Sequence, residues 1–123
     1  VARTRGRILL TAQDGAWLDN VVLRDIRLIY PEVEDHAARI AAGFQSAQLA
    51  NRSPAARVAP AAVVADNCRG LRLHDVEAHW PDGNRVPMHG LWGRNLIGGR
   101  IDCRDLRGNG RDDVALIGST ISR

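Results

Sequence analysis

The chain has 123 residues, about the size of one domain. Apolar residues make up 45% and charged residues 25%, close to the globular average, which excludes disorder, collagen and coiled coil. No apolar run approaches the roughly 20 residues of a membrane helix, so we predict no membrane partner. The net charge of +3 comes from 17 basic residues, all arginine. They are scattered singly without interleaved aromatic residues, so we predict no nucleic-acid partner either.

The start of the chain carries little regular pattern. It opens on Val1 rather than on methionine and shows no signal-peptide pattern. This start indicates a processed chain, a subunit or a piece of a longer protein. The first apolar stretch, residues 7–11, is interpreted as a partial copy of a repeat that becomes clear further on.

An internal repeat organises the rest of the sequence. Residues 21–31 match residues 71–81 at a constant offset of 50. Two weaker copies are predicted at residues 96–102 and 116–122, at an offset of 25 from the second copy and then of 20. The matched pairs of the two clear copies are Val21/Leu71, Leu23/Leu73, Asp25/Asp75, Ile26/Val76, Leu28/Ala78, Tyr30/Trp80 and Pro31/Pro81.

Each clear copy alternates apolar and polar residues, which is the period of a β-strand. The phase slips by one residue at Asp25 and at Asp75, and this slip predicts a bend between two short strands. An aspartate at a bend accepts hydrogen bonds from nearby backbone N–H groups. Recurring short bent strands predict a solenoid, in which coils stacked about 4.8 Å apart bury one continuous core. Tyr30 and Trp80 share a repeat position and are predicted to stack in that core.

Residues 32–60 do not fit the repeat and are predicted to form a long excursion from it. Apolar residues follow helical spacing at positions 33, 37, 40, 44 and 47, which predicts a short helix. Asp35 is placed to cap its start, and two proline-containing stretches after it leave an irregular arm. Excursions of this length often line a binding cleft. The alternative is that Ile40 and Phe44 plug or cover the coil.

Two strings carry a resemblance to a known fold: residues 65–76, ADNCRGLRLHDV, and residues 91–102, LWGRNLIGGRID. They resemble consecutive coils of a right-handed parallel β-helix of the pectin-lyase-like superfold, in particular bacterial relatives of the polygalacturonase-type glycoside hydrolases. The resemblance covers residues 8–31 and 61–123. It implies an all-β solenoid, with residues 1–123 forming a single domain or a fragment of one.

The resemblance also implies a function. Relatives handle acidic, pectin-type polysaccharides in an extracellular or periplasmic setting and need no cofactor. They hydrolyse with inversion: one carboxylic acid protonates the glycosidic oxygen while another activates water on the opposite face. A polysaccharide or oligosaccharide is therefore the expected partner.

The catalytic motifs of those hydrolases are only partly present. Their Asn-x-Asp is missing and their Arg-x-Lys is impossible without lysine. Asp112-Asp113 resembles their Asp-Asp, and Met88-His89-Gly90 keeps two positions of their Gly-His-Gly but precedes the Asp pair. We interpret the chain as coils outside the catalytic centre, from the C-terminal part of a larger enzyme, or as a relative that has lost the chemistry. The alternative is a non-catalytic β-solenoid for glycan binding or structural assembly, with self-association or missing N-terminal coils.

Three residues are the candidate catalytic groups: Asp112, Asp113 and His89. The two aspartates offer a general acid/base pair, and the histidine a proton shuttle or a sugar contact. The alternative is structural. The aspartates then cap the loop that follows Gly108, and His89 is a turn histidine bonded to backbone.

Four residues are the candidate substrate contacts. Asp35, His36 and Arg39 fall on one turn of the predicted excursion helix, where Arg39 can pair with a sugar carboxylate. Trp92 can pack its ring on a sugar. The alternatives are a solvated helix face for the first three and core packing for Trp92.

The remaining histidines and the cysteines carry no predicted chemistry. His74 and His79 face away from the apolar row and receive no role. Cys68 and Cys103 lack metal-binding spacing and fall at different points of the repeat. Two separate thiols are therefore predicted, and no metal site.

Overall fold

A computed structural model describes residues 1–3, 6–33, 53–82 and 86–123. These residues form a β structure with a single short helix, which confirms the all-β prediction. No helix among them is long and apolar enough to cross a bilayer. In chain order the elements are β1 (Ala2–Arg3), β2 (Ile8–Thr11), β3 (Leu18–Asp19), β4 (Val22–Ile29), α1 (Pro54–Val58), β5 (Ala61–Arg69), β6 (Arg72–His79), β7 (His89–Asp102), β8 (Val114–Ile117) and β9 (Thr120–Ser122).

All pairings between these strands are parallel. The order across the sheet is β1-β4-β6-β7-β5-β2, with β3 beside β5 and with β8 and β9 beside β7. Strand β7 changes partner along its length, because residues 89–97 pair with β5 and residues 100–102 pair with β6. Gly98 and Gly99 lie between the two halves with φ of 64° and 86°, so the sheet curls at this point.

The register confirms the clear repeat and corrects the weaker copies. Leu23 pairs with Leu73, at the predicted offset of 50. Leu73 in turn pairs with Ile101, at an offset of 28 where 25 was predicted. Ile97 pairs with Thr120, at an offset of 23 where 20 was predicted. The offsets were wrong because short runs such as Leu-Ile-Gly satisfy a period of two in several registers, and backbone hydrogen bonds decide between them.

The first apolar stretch also lies elsewhere than predicted. Strand β2 pairs with β5, with Ile8 opposite Val63, rather than occupying the position of residues 21–31. It belongs to a second run of paired strands, β2, β5, the first half of β7, and β8. The alternating apolar pattern is common to both runs, so it could not tell them apart.

The predicted bends occur at the predicted residues. Asp25 and Asp75 both adopt the left-handed conformation, with φ of 55° and 50°. Aspartate tolerates this region better than most residues with a Cβ atom. Pairing is regular on both sides of the bend, between Arg24 and His74 and again between Ile26 and Val76. The slip in the apolar–polar alternation therefore marks the point at which the left-handed aspartate shifts, by one residue, which side chains face inward.

Two apolar clusters lie on opposite sides of β5, whose residues from Ala61 to Cys68 are all buried. The larger one is built from inward side chains of the paired strands, among them Val63, Leu73 and Ile101. The smaller one contains Val64, Trp92 and Ala56 of helix α1. Helix α1 thus covers the outer face of β5, which explains why a continuous apolar run replaces alternation there.

Helix α1 begins where the sequence predicted an irregular arm. Ser53 caps it by accepting a hydrogen bond from the backbone N–H of Ala56 at 3.2 Å, and Pro54 occupies its first turn. Proline is favourable at that position because its missing N–H has no helical partner there. Pro54 therefore starts a helix instead of ending one. The helix predicted from Val33 onward falls almost wholly on residues 34–52, outside the described residues.

Candidate functional site

Open polar side chains line up on the outward face of β4, β6 and the end of β7. Parallel in-register pairing places Arg24, His74 and Asp102 in one row across three strands. Two residues earlier, Val22, Arg72 and Arg100 form a second row. Neighbouring members of a row are about 4.8 Å apart, because that is the spacing of hydrogen-bonded strands. Residues far apart in the sequence thereby become immediate neighbours.

A groove of about 460 Å³ lies over these two rows. We call it the arginine groove. The residues that line it include Val22, Arg24, Arg72, His74, Arg100 and Asp102. Its lining residues leave it partly open to solvent.

The three arginines of this groove lack the acidic partners that Arg27, Arg69, Arg94 and Arg107 have. Arg24, Arg72 and Arg100 are exposed and form no ion pair within the described part of the chain. By contrast, Arg69 Nε donates to Asp19 Oδ1 at 2.6 Å, and Arg27 Nε donates to Glu77 Oε2 at 3.1 Å. Guanidinium groups gathered in this way around one concave surface attract an anion that can accept paired hydrogen bonds.

One wall of the groove continues into a group that we call the His74 cluster, formed by Asp25, His74, Asp75 and Asp102. The His74 ring lies between two carboxylates, with Nε2 3.2 Å from Asp75 Oδ2 and Nδ1 3.3 Å from Asp102 Oδ2. One ligand atom from each of Asp25, His74 and Asp75 lies within 4.8 Å of the others. A second cavity of about 300 Å³ opens over Asp25 and Asp75.

Arg27 and Glu77 also line this second cavity, and they neutralise each other. The hydrogen bond from Arg27 is the main reason that the pKa of Glu77 lies below its ordinary value, with a smaller contribution from His79. His79 Nε2 lies 3.3 Å from Glu77 Oε1. Arg27 is therefore committed to Glu77, and the carboxylates of Asp25 and Asp75 do not share it.

The candidate catalytic residues Asp112, Asp113 and His89 lie together at the opposite end of β7. His89 Nδ1 donates to the backbone carbonyl of Asp112 at 2.7 Å, and Asp113 Oδ1 accepts from the backbone N–H of Gly108 at 2.7 Å. Both aspartates are exposed. These contacts are the ones expected of a backbone-bonded turn histidine and a loop cap, so the geometry favours the structural alternative for His89 and Asp113, while Asp112 contributes its backbone carbonyl.

The candidate substrate contacts do not join either group. Trp92 is 7% exposed and packs in the smaller cluster beneath helix α1. This burial favours core packing over a sugar platform. Asp35, His36 and Arg39 lie outside the described residues.

A third polar group, around Asp66, has a structural explanation. The Asp66 side chain is wholly buried. Arg94 donates to both of its oxygens, at 2.7 and 3.1 Å, and the Ser53 hydroxyl donates to Oδ2 at 2.9 Å. Arg94 also donates to Asp14. Hydrogen bonds from Asn67 first, and from Arg94 second, lower the pKa of Asp14. The group ties the start of α1 to the sheet, and its buried carboxylate is fully used.

The thiols are separate, as predicted, and both are free. Cys68 is buried beside β2, and its Sγ lies 3.2 Å from the Leu10 carbonyl oxygen. Burial raises the pKa of Cys68 to about 11, and it also raises the pKa of Cys103. Neither thiol is therefore set up as a nucleophile.

Sequence reasoning missed His74, Asp102 and the three groove arginines. One signal was available, since the clear repeat already placed Arg24 beside His74 and Asp25 beside Asp75. With the true offset of 28, Asp102 also falls beside His74. The misassigned third copy hid that neighbour. No known protein family, curated protein or solved structure matches this chain.

Proposed function

We propose that this chain is a right-handed parallel β-helix that binds an acidic polysaccharide across its arginine groove. The β-helix part is supported by in-register stacking of successive segments and by left-handed bends at the equivalent residues Asp25 and Asp75. A curled, wholly parallel set of strands buries its apolar rows on one side and presents its polar rows on the other.

The unpaired arginines carry the ligand part of the proposal. Arg72 and Arg100 occupy neighbouring strands in the same row, and Arg24 lies one row away. A guanidinium group binds a carboxylate or sulfate through two parallel hydrogen bonds. A glycan that crosses the strands meets one strand after another, so successive acidic sugars meet successive arginines. Such ligands occur outside the cytoplasm, which is where we place the protein.

Binding to defined oligosaccharides tests this function. We expect the protein to bind oligogalacturonates more tightly than uncharged oligosaccharides of the same length in isothermal titration calorimetry. Arg72→Ala with Arg100→Ala should weaken that binding at least tenfold, because each charge-assisted hydrogen bond contributes about 1.5 to 3 kcal/mol. Arg111→Ala removes an exposed arginine that lines neither cavity and should leave the affinity unchanged. Equal affinity for charged and uncharged glycans would refute the proposal.

Salt provides an independent check. Ion-pair recognition in an open groove is screened with a Debye length of about 10 Å at 0.1 M salt. Affinity for the oligogalacturonate should therefore fall as the ionic strength rises. Binding that is insensitive to salt would point to recognition of the sugar ring, and the arginines would then not be the determinants.

A second candidate function is hydrolysis of the bound glycan. The observation that favours it is the pair of carboxylates on either side of His74, with Asp102 in the arginine groove and Asp75 in the second cavity. Inverting glycosidases need one carboxyl group as acid and another as base. Release of reducing ends from polygalacturonate measures this activity, and Asp75→Asn or Asp102→Asn should abolish it. Loss with Asp112→Asn or Asp113→Asn instead would place catalysis at the pair predicted from the sequence.

A further inference from the structure

We propose that Asp25, Asp75 and His74 bind a divalent transition-metal ion. This proposal does not rest on glycan binding. One nitrogen and two carboxylate oxygens are available within 4.8 Å of one another. These are donors that Zn²⁺, Mn²⁺ or Co²⁺ accept in proteins.

The fold makes the three side chains converge. Asp25 and Asp75 occupy the same position of adjacent paired strands, at bends with matching left-handed backbone. Adjacent strands lie about 4.8 Å apart, so two side chains of one type in equivalent conformations run side by side. His74 precedes Asp75 directly, and its Nε2 lies 3.2 Å from the Asp75 carboxylate.

The carboxylates of Asp25 and Asp75 form no ion pair with an arginine among the described residues. Asp25 forms no ion pair with a described residue, and the ion-pair contact of Asp75 within that part of the chain is with His74. Val1 and Arg27 also line the second cavity, and Arg27 is paired with Glu77. Two carboxylates this close repel each other. A dication between them converts that repulsion into attraction.

Asp102 acts as the outer partner of the histidine. Its Oδ2 lies 3.3 Å from His74 Nδ1, on the side of the ring away from Asp75. A carboxylate behind a metal-bound histidine fixes the ring orientation and increases the basicity of the ligating nitrogen. A histidine ligand with only two carboxylates fits a transition metal better than Ca²⁺, which takes six to eight oxygen ligands. Asp25 and Asp75 both line the second cavity.

Titration of the metal-free protein, without a polyhistidine tag and without glycan, tests the site. We expect one Zn²⁺ per chain by calorimetry and a visible absorption band on addition of Co²⁺. His74→Ala and Asp25→Asn should each weaken Zn²⁺ binding at least tenfold. Asp102→Asn should weaken it roughly 10- to 100-fold, as outer-partner changes do elsewhere. Circular dichroism of each variant checks that the fold is retained.

His79→Ala is the matched control, because His79 is another exposed histidine on β6 and lies beside Glu77 outside the cluster. It should bind Zn²⁺ as the unaltered protein does, and Zn²⁺ should raise the melting temperature of both. Unchanged Zn²⁺ affinity in His74→Ala, tighter binding of Ca²⁺ than of Zn²⁺, or no binding by the folded protein would each overturn the proposal. Because no glycan is present, these results do not depend on the proposed function.

Discussion

Tyr30 and Trp80, which share one position of the two clear repeat copies, stack face to face with ring centroids 4.5 Å apart and planes inclined by 9°. The contact continues the register of β4 on β6 beyond the last strand residues. Trp80 Nε1 also donates to the Arg107 carbonyl oxygen at 2.6 Å. One aromatic pair thus joins three segments of the chain.

Trp80→Ala should destabilise the protein by about 3 kcal/mol, at the lower end for a large aromatic residue because this side chain is half-buried. Urea unfolding followed by circular dichroism measures the change. Trp17→Ala is the control, since this half-buried Trp contacts Arg69 through a cation–π interaction, with Arg69 Cζ 5.0 Å from the ring centroid. That contact is worth about 1 kcal/mol at most. Equal losses from the two substitutions would contradict a special role for the stack.

Gly98→Ala and Gly99→Ala form a matched pair at the curl of the sheet. Both residues have positive φ, but a Cβ at Gly98 meets nothing within 4 Å, whereas one at Gly99 would lie 2.1 Å from the Leu71 carbonyl oxygen. That oxygen accepts the Arg100 N–H at 2.9 Å. We expect Gly98→Ala to destabilise by about 1 kcal/mol and Gly99→Ala by about 3 kcal/mol or more. Similar unfolding midpoints would show that the close approach is relaxed in solution.

Asp66→Asn should destabilise the protein by about 3 kcal/mol, because it removes one member of a buried ion pair and leaves the Arg94 guanidinium group undercompensated. Asp19→Asn breaks a comparably short pair with Arg69 on the exposed surface. Solvent screens that pair, so the substitution should change the free energy of unfolding little. Chemical unfolding of both variants compares the loss of an arginine–aspartate pair at a buried and at an exposed aspartate. A larger decrease in the free energy of unfolding for Asp19→Asn would contradict this account.

The single tyrosine reports on alkaline stability. Burial raises the pKa of Tyr30 from its ordinary value of 10 to about 12. The folded state therefore holds the phenol proton more tightly than the unfolded state. The resulting stabilisation is complete below pH 10 and is lost as the pH rises toward 12. We expect phenolate absorbance to appear only near pH 12 or together with unfolding, and its appearance at pH 10 in folded protein would contradict the burial.

Tyr30→Phe separates this effect from that of Cys68, whose pKa is raised from 9 to about 11. The Cys68 contribution is lost between pH 9 and 11 by the same reasoning, and the variant retains it. The Tyr30 hydroxyl is buried without a hydrogen-bond partner among the described residues. Removing it should leave stability at neutral pH unchanged or increased.

The parts of the fold that the sequence predicts are those marked by several independent features. The offset of 50 rests on apolar residues, an aspartate and a proline that all recur together, and the phase slip identified the bends at Asp25 and Asp75. The third copy shares with the second only a few apolar positions, and a pattern with a period of two fits more than one register. Pro54 was misinterpreted because proline both ends helices and begins them.

The candidate site was harder to predict, for a physical reason. In the sequence, Arg24, Arg72 and Arg100 are isolated surface residues, and nothing local distinguishes them from Arg104 or Arg111. Only the pairing register makes them neighbours. Conversely, Asp112 and Asp113 are adjacent in the sequence and resemble a catalytic pair, yet Asp113 caps a loop through the N–H of Gly108.

Successive segments of the sheet recur at unequal offsets along the sequence, as the pairs Leu23/Leu73, Leu73/Ile101 and Leu91/Val114 show, while their strands remain paired in parallel. The strands of this face stay at the spacing of paired strands although the number of residues between them differs. Hydrogen bonds between the peptide groups of adjacent strands set this spacing, at about 4.8 Å per strand. The outward side chains can therefore be substituted one by one while the strand spacing stays the same. Side chains that recur at a regular spacing suit a ligand that is itself a repeating polymer.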